Sequence, residues 1–263
     1  ETDYDFFFAG PVNITGKLIR IDIDPRQLTR NIKSDIAIYS DAGLALEALL
    51  EQLATSEQSD LRAGETRAAG MRTTLAGERD PKYENFFGAI REALPEVIIA
   101  GDSTQPTYYA WLNYETEHPR RYFHSASGFG TLGYAIPAAI GAKLGQPDSP
   151  VIGLIGDGAS QFTIGELASA VEARVAVTFI LWNNSGYAEI KRFMEDGAIA
   201  PVGVDIYTPD FIGIGRAFGC EVARPGDLDE LKAVLVAANK RDAPTLVEIV
   251  QERFVDGYPI ASH

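Results

Sequence analysis

The chain has 263 residues, 46% apolar and 23% charged, ordinary proportions for a globular protein with a real core. Its formal net charge of −14 sets the surface against the phosphate backbone of nucleic acid, and no apolar run approaches the roughly 20 residues of a membrane span. No nucleic acid and no membrane is therefore expected as a partner, and any polyanionic ligand needs a metal or local backbone amides to offset the repulsion.

The start of the chain, Glu1-Thr2-Asp3-Tyr4-Asp5, is acidic and lacks the basic region of a signal peptide. Cys220 is the single cysteine, so no internal disulfide can form, which fits a reducing, cytoplasmic compartment. Its apolar neighbours Ala217-Phe218-Gly219 mark it as a buried structural thiol.

Residues 18–24 alternate apolar and polar and predict a strand, stopped by Pro25. Leu44, Leu46, Leu49, Leu50 and Leu53 predict a helix over 42–53. A strand, a connection and a helix are too little for a domain of their own. Residues 56–80 are polar with weak periodicity and read as a linker. Asp80-Pro81 then signals a helix start, with Tyr83, Phe86, Phe87, Ile90 and Leu94 on one apolar face.

From there apolar strands alternate with helical patterns. Strands are predicted at 97–100, 151–155, 175–182 and 245–250. Helices are predicted at 134–144, 164–173, 209–218 and 228–238. Nearly all-apolar strands in this alternation give an α/β fold, a doubly wound parallel sheet covered on both faces. Ligands of such sheets bind beyond the carboxyl ends of the strands, here in the loops after Ala100, Ile155 and Trp182.

After Ile155 comes Gly156-Asp157-Gly158-Ala159-Ser160, and after Trp182 comes Asn183-Asn184-Ser185-Gly186-Tyr187. If these strands are neighbours, Asp157 and Asn184 converge. A carboxylate, an amide oxygen and a nearby carbonyl form a hard oxygen set suited to Mg²⁺, which takes its remaining ligands from phosphate and water. Gly158 lets backbone N–H groups approach an anion, and the following helix adds its positive end.

Gly-Asp-Gly, with the second Asn of Asn-Asn 27 positions after the Asp, resembles the cofactor signature of the thiamine diphosphate (ThDP) enzymes of the pyruvate decarboxylase and acetolactate synthase superfamily. The resemblance implies that Asp157, the side chain of Asn184 and the carbonyl of Gly186 ligate Mg²⁺. It implies further that Gly156, Gly158, Ala159, Ser160, Ser185 and Tyr187 surround the diphosphate. The stretch Gly128-Phe129-Gly130-Thr131-Leu132-Gly133 and the helix after it resemble the family's Gly-rich loop. Gly130 would there accept a bond from the cofactor's 4′-amino group, and Leu132 would bend the cofactor so that this group reaches the thiazolium C2 proton. Gly101-Asp102-Ser103-Thr104-Gln105 matches the first diphosphate loop, with Thr104 and Gln105 as contacts.

Residues 1–55 are similar to the end of the family's Rossmann-like central domain. FAD, which some members bind there, is not expected, because most of that domain is missing from the sequence. Asp22 and Asp24 read as structural. The resemblance divides the chain into this remnant, a linker over 56–80 and a diphosphate-binding domain over 81–263. It implies a partner, the pyrimidine-binding domain with its activating glutamate, and a shared site in a homodimer or homotetramer. The chain by itself is then expected to be inactive.

The implied reaction is decarboxylation of a 2-oxo acid. The loop at Asp102 lacks the Gly-Gln-His pattern of acetolactate synthases, which favours a decarboxylase over that carboligase. Tyr187, Glu189, Ile190, Phe193 and Met194 should border the site. This segment resembles decarboxylases of 5-guanidino-2-oxopentanoate, whose guanidinium would need a carboxylate such as Glu189; Phe193 is the second substrate candidate. A solvated Glu189 on a short helix is the competing reading. His118 and His124 read as surface residues, and His263 as a terminal one. The Gly-x-Gly-x-x-Gly spacing at Gly128 also fits a dinucleotide-binding oxidoreductase, but Tyr122–Ser127 make a poor buried strand before it. A non-catalytic regulatory or assembly fragment is the other alternative.

Overall fold

The computed structural model describes residues 14–30, 32–54, 61–126 and 129–255. The readings made for Glu1–Asp5, Gly128 and His263 lie outside these residues. The chain divides into two compact units, residues 1–72 and 73–263.

In the first unit, β1 (Ile19–Asp22) pairs in parallel with β2 (Ile36–Tyr39), in register from Ile19 opposite Ile36 to Asp22 opposite Tyr39. The second strand was not foreseen from the sequence. Helix α1 (Ala42–Leu53) is capped by Asp41, whose Oδ1 accepts from the N–H of Leu44 at 3.2 Å. Asp22 and Asp24 have structural roles: Asp22 accepts from the N–H of Asp24, and Asp24 pairs with Arg26 at 2.8 Å.

The segment read as a linker contains a helix, α2 (Leu61–Gly77), whose residues 63–77 are all exposed. Its Arg, Glu, Ala and Met residues have good helix propensity and no apolar stripe, so the helix leaves no periodic signature in the sequence. Helix α3 (Pro81–Ala93) starts where the Asp-Pro signal placed it, with Asp80 accepting from the N–H of Lys82 at 2.9 Å.

The second unit is built on a parallel sheet of β3 (Ile98–Gly101), β4 (Tyr122–His124), β5 (Val151–Gly156), β6 (Val177–Asn183), β7 (Glu221–Ala223) and β8 (Thr245–Val250), in the order β4-β3-β5-β6-β8-β7. Side chains alternate between two cores along each strand. Val151, Ile155, Phe179 and Leu181 face one core, with Ile136, Ala139 and Leu167; Ile152, Leu154, Ile180 and Trp182 face the other, with Tyr83, Phe86, Phe87 and Leu231. The helices supplying these residues are α5 (Ala135–Gly145) and α7 (Leu167–Glu172) on one face, and α3 and α10 (Leu228–Ala238) on the other. The doubly wound parallel sheet is the fold expected from the sequence.

Between these, α4 (Gln105–Asn113) follows β3, α6 (Asp157–Thr163) follows β5, α8 (Ala188–Asp196) follows β6, and α9 (Phe211–Phe218) precedes β7. The Tyr122 stretch, read as a poor strand, is one, at the sheet edge, where half-buried residues suffice. The chain leaves β3 toward one edge and returns to pair β5 on β3's other side, so strand order reverses between β3 and β5. Such a switch point opens a crevice at the carboxyl ends of the strands.

Candidate functional site

The loops after β3, β5 and β6 meet at that crevice. A Cβ built on Gly156 would stand 2.9 Å from Oγ1 of Thr104, so the first two loops are in contact. Thr104, Asp157, Gly158, Ala159 and Ser160 are all buried. Gln105 is half-buried, with its Oε1 enclosed and without a hydrogen-bond partner. The first turn of α6 has no side-chain cap from the residue before it, and the N–H of Gly158 faces the Asp157 carboxylate.

Asp157 and Asn184 come together as their neighbouring strands require. Oδ2 of Asp157 accepts from the N–H of Gly186 at 2.9 Å. One end of the Asn184 amide stands 3.0 Å from the carbonyl oxygen of Gly186 and 3.2 Å from Oδ1 of Asp157. With its nitrogen there, the amide donates to both; with its oxygen there, three acceptors converge, an arrangement that a cation among them would stabilise. Mg²⁺–O bonds of about 2.1 Å at right angles place neighbouring ligands about 3.0 Å apart, so the separations fit this ion. Asp157 is 1% exposed, and burial pushes its carboxyl above the usual range, opposed by the N–H groups of Asn184, Gly158 and Gly186. A divalent cation would offset that cost.

The loop needs unusual backbone to achieve this. Ser185 has φ 62° and Gly186 φ 153°, and a Cβ on Gly186 would stand 2.5 Å from the carbonyl oxygen of Val204. The Tyr187 ring lies over Gly158, 2.6 Å from where a Cβ would sit, so a side chain there would push the ring away.

Gly130 has φ 62°, and its N–H donates to the carbonyl of Ser125 at 3.0 Å. Leu132 packs against the core on the α5 face of the sheet. Thr163 Oγ1 donates to the carbonyl of Gly133 at 2.8 Å, which ties this loop to α6.

Sequence reasoning missed Asp102. Its carboxylate is fully buried; Oδ2 accepts from the N–H of Ala135 at 2.9 Å and Oδ1 from that of Ser103. It therefore caps α5, a helix 33 residues away. Burial pushes its carboxyl up, and the N–H groups of Ala135, Ser103, Tyr134 and Gly133 oppose that shift. The Asp-Ser pair at a strand end signals a cap, but only the fold says for which helix.

Glu189 is neither free nor solvated. Its Oε2 accepts from Arg192 at 2.7 Å on the same helix, while Oε1 is buried without a hydrogen-bond partner. Phe193 and Ile190 are exposed and Met194 is half-buried; Arg192 lies over the Phe193 ring. His118 is exposed beside Glu96, but His124 is not the surface residue expected. It is half-buried, its Nε2 accepts from Trp111 Nε1 at 3.1 Å, and burial lowers its pKa. Cys220 is buried and free, as its neighbours implied.

A parallel α/β sheet with an acidic, amide-rich crevice at its switch point defines an α/β domain of the kind that takes its ligands at the carboxyl ends of its strands. The C-terminal TPP-binding domain of thiamine pyrophosphate enzymes matches residues 102–249, more than half of the chain. The chain belongs to this family. It is 38% identical over 248 residues to a probable 2-ketoarginine decarboxylase of Pseudomonas aeruginosa, covering 92% of this chain and 44% of the relative. It is 35% identical over 237 residues to a benzoylformate decarboxylase of the same organism, covering 89% and 43%. A ThDP-dependent 4-hydroxybenzoylformate decarboxylase of Rhodococcus jostii RHA1 superposes with a TM-score of 0.71 at 25% identity, covering 89% of this chain and 44% of that one. The chain thus spans less than half the length of the curated relatives it matches. Among the described residues, no helix is long and apolar enough to cross a membrane.

Proposed function

We propose that this chain is the diphosphate-binding part of a Mg²⁺-dependent ThDP enzyme that decarboxylates a 2-oxo acid. The observation that carries this is the convergence of the Asp157 carboxylate, the Asn184 amide and the Gly186 carbonyl at the carboxyl ends of β5 and β6. In this reading these three hold Mg²⁺. Thr104, Gln105, Gly158, Ala159, Ser160 and Ser185 hold the diphosphate, with Gly156 keeping Thr104 close and Tyr187 closing over Gly158. Gly130 offers its carbonyl to the aminopyrimidine, and Leu132, braced by the core, sets the bend. The bound cofactor supplies a nucleophilic carbon and an electron sink for the bond to CO₂.

We infer 5-guanidino-2-oxopentanoate as the substrate. The 38% identical relative is named for 2-ketoarginine, and Glu189 keeps one carboxylate oxygen buried without a hydrogen-bond partner. Phe193 would line the entrance. The remaining machinery comes from a pyrimidine-binding domain of the same protein, in a cytoplasmic homodimer or homotetramer.

The test is a calorimetric titration of ThDP into the full-length protein, with Mg²⁺ and with EDTA, for the wild type and Asp157→Ala. Binding should require both Mg²⁺ and Asp157; equal binding in EDTA or by the variant rejects the reading. CO₂ release from 5-guanidino-2-oxopentanoate against benzoylformate then tests the substrate, and preference for benzoylformate rejects it.

A further inference from the structure

A buried polar chain runs across three strands behind the metal loop. Glu248 on β8 is 2% exposed. Its Oε2 accepts from Nε and Nη2 of Arg224, just past β7, at 2.9 and 2.5 Å. Its Oε1 accepts from Nδ2 of Asn183, the last residue of β6, at 2.7 Å. Oδ1 of Asn183 in turn accepts from the N–H of Ser185 at 3.1 Å. That bond spans the turn in which Ser185 takes φ 62° and from which Asn184 and Gly186 present their oxygens to Asp157.

Every contact in the chain has a fixed polarity. A carboxylate accepts on both sides, so Glu248 can face the guanidinium and the Asn183 amino group together. With its amino group so held, Asn183 has its oxygen on the Ser185 side. A side chain that donated toward Asn183 would turn the amide and set its nitrogen against the Ser185 N–H. Burying a carboxylate against a half-exposed arginine is a costly way to fill this position, and the alignment of Asn183 is what it achieves.

We propose that Glu248, anchored by Arg224, is a positioning residue that fixes the amide of Asn183 and through it the Asn184–Gly186 half of the metal site. The proposal rests on the metal reading above. It extends the site to residues 24 and 65 positions apart from their partners in sequence.

The isosteric substitution Glu248→Gln tests it. The introduced amide must turn its NH₂ toward either Arg224 or Asn183, leaving two donors face to face. Mg²⁺ affinity, measured by calorimetry in saturating ThDP on the full-length protein, should fall about 10- to 100-fold, the range for partners of metal ligands. Asn183→Asp alone opposes two carboxylates and should weaken binding comparably. Together, E248Q and N183D restore the polarity: the amide accepts from Arg224 and donates to the new carboxylate, which accepts from Ser185. The double variant should return to within about threefold of the wild type, a coupling that independent losses cannot produce. Mn²⁺ EPR linewidths in the ThDP complex should follow the same order. Arg224 is partly exposed, so Arg224→Gln keeps the fold and should weaken Mg²⁺ in the same direction.

Wild-type affinity in E248Q, or a lowered melting temperature with unchanged Mg²⁺ affinity, overturns the proposal; so does a double variant no better than the sum of the singles. If the wild type itself shows no Asp157-dependent Mg²⁺ binding, the metal reading fails and this inference with it. Asp157-dependent binding that E248Q leaves intact defeats this inference alone.

Discussion

Replacing Asp157 by Asn should raise the stability of the metal-free protein while destroying its response to the cofactor. Asp157 is 1% exposed, and its Oδ1 lies 3.2 Å from the Asn184 amide. An amide there relieves a buried charge. It keeps an acceptor for the N–H of Gly186, and Asn184 can turn its oxygen to the new donor. The buried charge costs about 1.4 kcal/mol for each pH unit by which the carboxyl is raised, and 1 kcal/mol moves the melting temperature of a protein this size by about 2–4 °C. In EDTA, Asp157→Asn should therefore melt a few degrees above the wild type. With Mg²⁺ and ThDP at about 100 times Kd, the wild type should gain about 2.7 kcal/mol that the variant lacks, and the order should invert. The EDTA advantage also has a pH signature. Burial raises the Asp157 carboxyl, so the wild-type group contributes most when protonated, at low pH, and loses that contribution as pH rises through its folded pKa. The advantage should shrink toward about pH 4 and grow as pH rises above it. Differential scanning fluorimetry of both proteins in both conditions gives the answer. A variant less stable in EDTA, or one stabilised by Mg²⁺ and ThDP as the wild type is, refutes the reasoning.

Asp102→Ala strips the cap from α5 and leaves buried N–H groups unpaired; a loss of about 1–3 kcal/mol is expected in denaturant melts, and an unchanged midpoint would contradict it. Cys220, buried and pushed up to about 11, should react with a thiol reagent at pH 8 only as fast as the protein unfolds, and a burst of native labelling would argue against that environment. Glu189→Gln should raise KM for 5-guanidino-2-oxopentanoate about tenfold or more, as the loss of a charge-assisted hydrogen bond implies, and spare an uncharged 2-oxo acid; equal effects on both substrates would remove Glu189 from the specificity site.

The central strands were legible because each is buried on both faces, which forces a run such as Val151–Ile155 to be apolar throughout. The start of α3 was legible because Asp80 and Pro81 act within a single turn. The Gly-Asp-Gly and Asn-Asn loops were legible for the same reason: each is a local turn at the end of an unmistakable strand. Their meeting followed once β5 and β6 were neighbours, and pairing of Gly156 with Trp182 makes them so.

Short edge elements escaped. β4 and β7 hold three residues each and lie at the margins of the sheet, where one-sided burial does not demand an apolar run. Helix α2 escaped because its residues 63–77 are exposed, so no buried face imposes a periodicity on them. The polar partners were the least legible. Asp102 reaches Ala135 and Glu248 reaches Asn183, contacts that no spacing rule connects. A hydrogen bond constrains two residues only after the backbone has brought them within about 3 Å, and in this chain strand order does that. Local pattern thus settled the central strands of the sheet and the turns at their ends, while the three-dimensional arrangement alone decided which buried carboxylates hydrogen-bond to those turns.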